Sequence, residues 1–296
     1  MKTLTLTTEY KEPVCFALGF FDGVHLGHCA LFSHARKLAD AVGATVGAIT
    51  FSDNPSYALG KGTPLIYTFE ERKTLLSKEV DALLALPFTE KLRSMEPHDF
   101  LQTLVDAFDI RGFVCGYDYR FGANAAGDSV ALSEFCKKND IMCGIVGPIM
   151  LDDARVSSTK IKEYLTLGDI ENAERFLGHA YTVEGAVCHG HGRGHLFDFP
   201  TANLQVEKDK LLPKEGVYAT YAYADGTQYK AVTNIGPCPT FGSSERTIET
   251  MLVDFTGDLY GKPLRLQFVR YLRDISTFSS PLALHTQIMR DTQWEK

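Results

Sequence analysis

The pattern of apolar residues changes near residue 178, and this change limits what the chain can fold into. Before it, short apolar runs alternate with segments of helical periodicity. Such alternation predicts an α/β fold, a doubly wound and mostly parallel sheet with helices on both faces. The predicted strands are Val14–Gly19, Thr45–Phe51, Ala82–Pro87, Phe113–Gly116 and Ile141–Gly147. The predicted helices are Leu26–Val42, Thr68–Lys78, Pro97–Phe108, Ser129–Lys138, Ser157–Leu167 and Asp169–Leu177.

After Gly178 the chain is rich in β-forming residues. The predicted strands are Val183–Cys188, Val217–Ala224, Gln228–Ile235, Thr247–Phe255 and Leu264–Leu272. Asp225 and Gly226 between two of them indicate a tight hairpin, and only Ser280–Trp294 has a helical pattern. This part is therefore predicted to form a small antiparallel β-barrel with a C-terminal helix. The expected domains are residues 1–178 and 179–296, in line with about 150 residues per domain.

Charge and processing signals narrow the function classes. The chain carries 30 basic and 37 acidic residues, a net charge of −7, which disfavours a nucleic-acid partner. Its N-terminus has no apolar segment typical of a secretory signal, and no apolar run is long enough to cross a membrane. The seven cysteines include no C-x-x-C pair, so we expect reduced thiols and a cytoplasmic location.

The first candidate site follows the first predicted strand and opens the first predicted helix. Gly23 and Gly27 allow close approach of the backbone, and His25 and His28 share one helical face. Two imidazoles at a helix N-terminus suit a phosphate and can stabilise charge that develops on phosphorus. The alternatives are two surface histidines or a chance metal pair. The sequence contains no G-x-x-x-x-G-K-[ST] and no G-x-G-x-x-G motif.

The second candidate site lies in the β-rich part. Gly190, Gly192 and Gly194 alternate in a loop whose N–H groups can bind an anion. Thr201 and Asn203 are two residues apart, so in a strand both oxygens face one way, which suits a hard cation such as Mg²⁺. The first alternative is a glycine turn followed by an edge strand that begins at Pro200. The second is a transition-metal site formed by the histidines of this loop, which are His189, His191 and His195.

Three segments of the first part resemble a known family. The string GFFDGVHLGH from Gly19 to His28 is similar to the adenylyltransferase half of the bacterial bifunctional riboflavin kinase/FMN adenylyltransferases. GYDYRFG from residue 116 and VSSTKIK from residue 156 resemble two further motifs of that family. The resemblance implies a nucleotidylyltransferase-like fold with catalytic roles for His25, His28 and Asn124. The residues that it implies for binding ATP and phosphate are Gly19, Phe21, Asp22, Gly23, Ser157, Ser158, Thr159 and Lys162.

The second part resembles the riboflavin kinase module of the same family, and the resemblance extends over residues 14–291. The segments that carry the resemblance include HGHGRGHLFDFPTAN from residue 189, Asn234-Ile235-Gly236, and TIET from residue 247. The resemblance implies phosphate binding by Gly190, Gly192 and Gly194 and Mg²⁺ binding by Thr201 and Asn203. It implies that Glu249 is the catalytic base, which accepts a proton from the riboflavin hydroxyl.

The resemblance therefore implies a bifunctional enzyme that phosphorylates riboflavin to FMN and adenylylates FMN to FAD. ATP is the co-substrate of both steps, Mg²⁺ the cofactor, and riboflavin, FMN and ATP the small-molecule partners; pyrophosphate is released in the second step. Neither a nucleic acid nor a membrane is expected as a partner, and the oligomeric state is not predicted.

The sequence departs from the family pattern at several positions. Lys162 stands where Arg is usual and Asn54 where His is usual, while Asp198 replaces a Gly before the Phe-Pro-Thr segment. Two like charges about 4 Å apart repel by about 4 kcal/mol at an effective dielectric constant of 20, so Asp198 aimed at ATP would weaken binding about a thousandfold. Three alternatives stay open: an FMN adenylyltransferase with an impaired kinase half, a nucleotidylyltransferase for another acceptor, and a non-catalytic flavin-binding regulator.

Overall fold

The computed structural model describes residues 1–188, 201–237 and 246–295, and the chain divides into two compact units, Met1–Ser158 and Thr159–Lys296. The helices α7 (Ser158–Leu167) and α8 (Ile170–Leu177) lie almost entirely in the second unit. The division in space thus precedes this helix pair, whereas the change in sequence pattern follows it. The domain ranges 1–178 and 179–296 stay a prediction.

The first unit is built on a parallel sheet. Its strands are β1 (Lys2–Leu4), β2 (Val14–Leu18), β3 (Thr45–Phe51), β4 (Ala82–Leu86), β5 (Ile110–Gly116), β6 (Arg120–Phe121), β7 (Gly127–Asp128), β8 (Met142–Val146), β9 (Met150–Leu151) and β10 (Ala154–Arg155). Among the described residues, six of these strands form the sheet in the order β1-β4-β3-β2-β5-β8, and every neighbouring pair is parallel. The pairs β6/β7 and β9/β10 are small antiparallel additions.

Strand β2 lies at the centre of this sheet and is buried on both faces. Val14, Phe16 and Leu18 belong to one apolar cluster, and Cys15 and Ala17 belong to another. Because successive strand residues point to opposite faces, the two clusters cover the two sides of the sheet. The predicted doubly wound α/β fold is confirmed. Strand β1 was not predicted, because it is short and largely exposed.

Helices α1 (Leu26–Val42), α2 (Pro55–Ala58), α3 (Phe69–Leu76), α4 (Glu90–Arg93), α5 (Pro97–Ala107) and α6 (Ser129–Lys138) accompany this sheet. The predicted start of α3 is confirmed, because Thr68 and Glu71 form a reciprocal capping box. The Thr68 hydroxyl accepts from the Glu71 N–H at 3.3 Å, and the Glu71 carboxylate accepts from the Thr68 N–H at 2.8 Å. The two bonds fix the point at which α3 leaves the preceding loop.

The second unit contains an antiparallel barrel. Its strands are β11 (Thr182–Cys188), β12 (Thr201–Gln205), β13 (Gly216–Ala224), β14 (Thr227–Pro237), β15 (Arg246–Leu252) and β16 (Pro263–Arg273). Within the described ranges these six strands close in the order β11-β12-β15-β14-β13-β16. Helix α9 (Pro281–Asp291) follows, as predicted. The edge-strand interpretation of the segment after Pro200 is wrong, because β12 pairs with β11 on one side and β15 on the other.

Local signals in this unit are also confirmed. Gly178 ends α8 in the left-handed conformation with φ 81°, and Asp225 and Gly226 form the hairpin turn with φ 48° and 80°. The six cysteines of the described ranges are free thiols. No helix in the described part of the chain is long and apolar enough to cross a membrane.

Candidate functional site

The turn between β2 and α1 holds backbone conformations that L-residues rarely adopt. Phe21 has φ 57° and Val24 has φ 45°, and Gly23 between them has φ 93°. Positive φ is unfavourable for a bulky or β-branched residue, at a cost of about 1–3 kcal/mol each, and persists only where the surroundings enforce it. Such positions concentrate at functional sites.

The position of this turn in the sheet indicates a ligand site. Strand β2 lies between β3 and β5. After β2 the chain adds β3 and β4 on one side of it and then returns to add β5 and β8 on the other side. In an open parallel sheet, ligands bind outside the carboxyl ends of the strands at such a point. The turn follows the carboxyl end of β2 directly.

His25 and His28 form a stacked pair at the N-terminus of α1. His25 caps the helix, with its Nδ1 accepting from the His28 N–H at 3.4 Å. The two rings stack with 3.6 Å between their centroids, and the Phe21 ring meets His28 edge-on at 5.2 Å. The Nδ1 atom of His28 is buried and has no hydrogen-bond partner among the described residues. An unpartnered buried nitrogen is rare in a folded protein and is typical of a functional site.

The environment keeps His28 neutral. Burial is the main cause that holds the pKa of His28 well below its usual value of 6.5, and the charges of His25 and Arg72 lower it further. A neutral imidazole still carries one N–H donor. The pair therefore offers a donor beside the positive end of the helix dipole, which is an arrangement suited to a phosphate group.

Contacts bring the three family-like segments of the first unit together. The Ser158 hydroxyl donates to the Asp22 carbonyl at 2.8 Å, which links the third segment to the first. Arg155, which directly precedes the third segment, forms an ion pair with Asp118 of the second segment, and its guanidinium lies 5.3 Å from the Tyr117 ring. These contacts bring together residues of the first unit that are far apart in sequence.

Two of the predicted phosphate-binding residues use their side chains to hold the turn. The Asp22 carboxylate is 4% exposed and accepts from the N–H groups of Ile66 at 2.8 Å and Tyr67 at 3.4 Å. The Phe21 ring is buried against Phe32, with 4.9 Å between centroids. Phe21 and Asp22 can therefore meet a phosphate only through their backbone. A Cβ at Gly19 would lie 2.7 Å from the Phe21 ring, so this position requires glycine.

The other predicted residues of this site are more dispersed. Asn124 is exposed and left-handed, with φ 53°, in a short turn that follows β6. Gly116, at the end of β5, reaches the same edge of the sheet as Gly19, because β2 and β5 are parallel neighbours. Ser157 precedes α7, and Thr159 and Lys162 lie on its first turns, in the second unit. The phosphate-binding roles of these residues stay predictions.

The sequence interpretation missed two basic residues. Arg155 stands directly before Val156 and the serines of the third segment, so a positive charge next to a phosphate-binding pattern was the available signal. Arg72 lies on α3 and is completely buried. The sequence gave no signal for Arg72, because its contacts with Phe20 and Phe51 depend on the way α3 packs against the sheet.

A second group of polar side chains lies on the barrel. In register across three strands, Glu249 of β15 is opposite Asn203 of β12 and Asn234 of β14. Thr201 is two residues before Asn203 and so faces the same way. The alternate residues Ala202, Ile248 and Thr250 are buried, whereas Thr201, Asn203, Glu249 and Asn234 are half-buried. This face of the barrel therefore offers a carboxylate and several neutral oxygens side by side.

The donor set of this face suits a hard cation. Hydroxyl, amide and carboxylate oxygens are the ligands that Mg²⁺ accepts. No group of three or more His, Cys, Asp or Glu residues in the described part of the chain could hold a metal ion. The predicted phosphate loop with Gly190, Gly192 and Gly194, the alternative histidine metal site, and Asp198 all lie outside the described residues.

Two families of known proteins match separate parts of the chain. A family model described as FAD synthetase matches residues 7–160, and one described as riboflavin kinase matches residues 177–296. A protein of Listeria monocytogenes named bifunctional riboflavin kinase/FMN adenylyltransferase is 32% identical, over 99% of this chain and 96% of its own. The chain belongs to the bifunctional riboflavin kinase/FMN adenylyltransferase family. The family member of Bacillus subtilis is 31% identical with the same coverage.

A solved structure titled as a macrolide-efflux protein from Streptococcus pneumoniae has the same fold over its whole length. It superposes with a TM-score of 0.88 at 28% identity, covering 100% of both chains. The two family models leave residues 161–176 between them. These residues include most of α7 and α8. The spatial division places this helix pair in the second unit, whereas the sequence pattern groups it with the first part of the chain.

We predict that His28 makes stability depend on pH. Because its pKa is lower in the folded protein, the folded state binds fewer protons than the unfolded chain below pH 6.5. The free energy of unfolding then falls as the pH drops through the window below 6.5, by up to about 1.4 kcal/mol per pH unit for one proton. Urea unfolding of wild type and His28→Ala, followed by NMR signals of α1, measures this. The difference in the free energy of unfolding between the two proteins should change with pH below 6.5. If the two plots of this free energy against pH run parallel, His28 is not a buried neutral histidine.

Proposed function

We propose that this chain makes flavin cofactors in two steps, at two separate sites. The second unit transfers the γ-phosphoryl group of ATP to riboflavin and yields FMN and ADP. The first unit transfers AMP from a second ATP to FMN and yields FAD and pyrophosphate. Membership of the family supports both activities, and one observation carries the assignment: the strained histidine turn and the Glu249 face are built on different units of the chain.

In the first unit, positioning and electrostatics do the work. The attacking FMN phosphate and the α-phosphate of ATP are both anionic, so the site must neutralise charge without supplying a nucleophile. His25 and His28 donate to phosphate oxygens as charge develops on phosphorus. The N–H groups at the start of α1 add their dipoles. Arg155, at the end of β10, is exposed enough to exchange its Asp118 partner for a phosphate oxygen.

In the second unit, Glu249 accepts the proton of the riboflavin 5′-hydroxyl as that oxygen attacks the γ-phosphate. Its carboxylate is half-buried in the row with Asn203 and Asn234. Asn234 belongs to the proposed site as well, because it lies opposite Glu249 in the strand register. Gly190, Gly192 and Gly194 are proposed to hold ATP phosphates through their N–H groups.

Thr201 and Asn203 are proposed to hold Mg²⁺, which would neutralise charge on the ATP phosphates when bound. Their oxygens project from the same side of β12, and Glu249 lies opposite Asn203. A cytoplasmic location and the expected absence of nucleic-acid and membrane partners stay predictions from the sequence.

Two variants should separate the activities. We expect His28→Ala to lower FAD formation about 10²-fold, the effect of losing one transition-state donor, while FMN formation continues. Glu249→Gln should lower FMN formation from riboflavin and leave FAD formation from supplied FMN intact. Chromatography of flavins after incubation with ATP and Mg²⁺ measures both products.

Ile248→Val, a change at the buried neighbour of Glu249, controls for perturbation of β15. It should leave both activities close to wild type. If His28→Ala or Glu249→Gln lowers both activities together in a folded protein, the two-site proposal is wrong.

The variant Asp198→Gly, which restores the residue usual in the family, tests the alternative of an impaired kinase half. If both activities are intact, Asp198→Gly changes the rate of riboflavin phosphorylation by less than about tenfold. If the carboxylate faces the ATP phosphates, the same change raises the rate or lowers the KM for ATP by up to about a thousandfold. Initial rates at several ATP concentrations distinguish these results, and the larger effect would support the alternative.

A further inference from the structure

Arg72 is a buried charge that the roles described above do not use. It lies on α3, its side chain is 0% exposed, and no carboxylate of the described residues lies within ion-pair distance of it. Burial is the main cause that lowers its pKa to about 10, and the charge of Asp22 opposes this, so the guanidinium stays protonated at neutral pH. A buried charge is costly, and an apolar side chain of the same volume would avoid the cost.

The side-chain hydrogen bonds of Arg72 all go to the edge of the sheet where the histidine turn lies. Nη1 donates to the Phe20 carbonyl at 2.6 Å and to the Thr50 hydroxyl at 3.2 Å. Nη2 donates to the carbonyl of Phe51, the last residue of β3, at 2.9 Å. The guanidinium also lies over the Phe20 ring, 4.4 Å from its centroid. Arg72 thus ties the turn after β2 to the end of the neighbouring strand.

Hydrogen bonds to the residues before and after it hold the strained residue Phe21 in place. Before it, the Phe20 carbonyl accepts from Arg72 and, at 2.8 Å, from Thr50. After it, the Asp22 carboxylate accepts from Ile66, in the loop that leads into α3. The contacts to the Phe20 carbonyl fix the peptide group before Phe21, and the contact from Ile66 fixes the side chain of the residue after it. Since strained backbone needs such enforcement, loss of Arg72 should loosen the turn.

We propose that Arg72 is a positioning residue for adenylyl transfer, which fixes the Phe20 peptide of the turn and places a permanent positive charge behind the histidine pair. This inference rests on the proposed function of the first unit. Arg72 does not touch the reacting atoms, because it is fully buried. It acts through the turn and through its field, which favours anionic phosphates at low local dielectric constant.

The field of Arg72 has a second consequence that can be measured without substrate. The charged or titratable groups that act on His28 are His25, on the same helix end, and Arg72, on α3. The positive charge of Arg72 opposes protonation of His28. Removing the charge of Arg72 should therefore raise the pKa of His28, whereas a change that only alters packing should not.

Three variants test this in the full-length protein. Arg72→Met keeps the apolar stem without the charge, Arg72→Lys keeps the charge without the planar fork, and Thr50→Val removes the other donor to Phe20 without changing any charge. NMR titration of the His28 imidazole gives its pKa in the ligand-free protein, and initial rates give kcat and KM for both activities.

We expect Arg72→Met to raise the pKa of His28 and to lower kcat of FAD formation about 10²-fold, as misplacement of reacting groups does, with riboflavin phosphorylation unchanged. In Arg72→Lys the pKa of His28 should stay at its wild-type value, and kcat of FAD formation should lie between those of wild type and Arg72→Met. Thr50→Val should leave the His28 pKa at its wild-type value.

A folded Arg72→Met protein with wild-type kcat for FAD formation and a wild-type His28 titration would overturn the proposal. If Arg72→Met does not fold, Arg72→Lys decides: wild-type kcat there would show that the planar fork positions nothing. If the wild-type protein makes no FAD, the proposed function fails; the His28 titration still shows whether the charge acts on the pair.

Discussion

The first unit depends on holding a strained turn at the end of its central strand. Phe21 and Val24 adopt positive φ angles that neither side chain favours. The turn keeps this conformation because contacts reach it from α3, from β3 and from the residue that opens α7: Arg72 and Thr50 bind the Phe20 carbonyl, Ile66 binds the Asp22 carboxylate, and Ser158 binds the Asp22 carbonyl. The helix that follows then starts with two stacked histidines.

The acidic net charge is compatible with the proposed phosphate site. A net charge of −7 disfavours nucleic acid as a partner, but it says little about a site built from helix N-terminal N–H groups and imidazoles. Neither group enters a count of Lys and Arg. The positive charge of Arg72, which contacts the turn, is buried and so adds nothing to the protein surface.

Features set by neighbouring residues could be predicted from the sequence. The bounds of α1, the capping box of α3, the left-handed end of α8 at Gly178 and the hairpin at Asp225 follow from local rules and are confirmed. Strand β1 could not be predicted, because it is three residues long and is stabilised by pairing with the distant β4. Arg72 was missed for the same reason, because it gains its place through contacts between segments that are far apart in sequence.

The central claim is that one chain converts riboflavin to FAD by two successive transfers from ATP. The most direct measurement is to incubate the purified protein with riboflavin, ATP and Mg²⁺ and to separate the flavins by chromatography over time. The account predicts that FMN forms first and is then converted to FAD, with pyrophosphate released in step with FAD. Unchanged riboflavin together with no conversion of supplied FMN would contradict it.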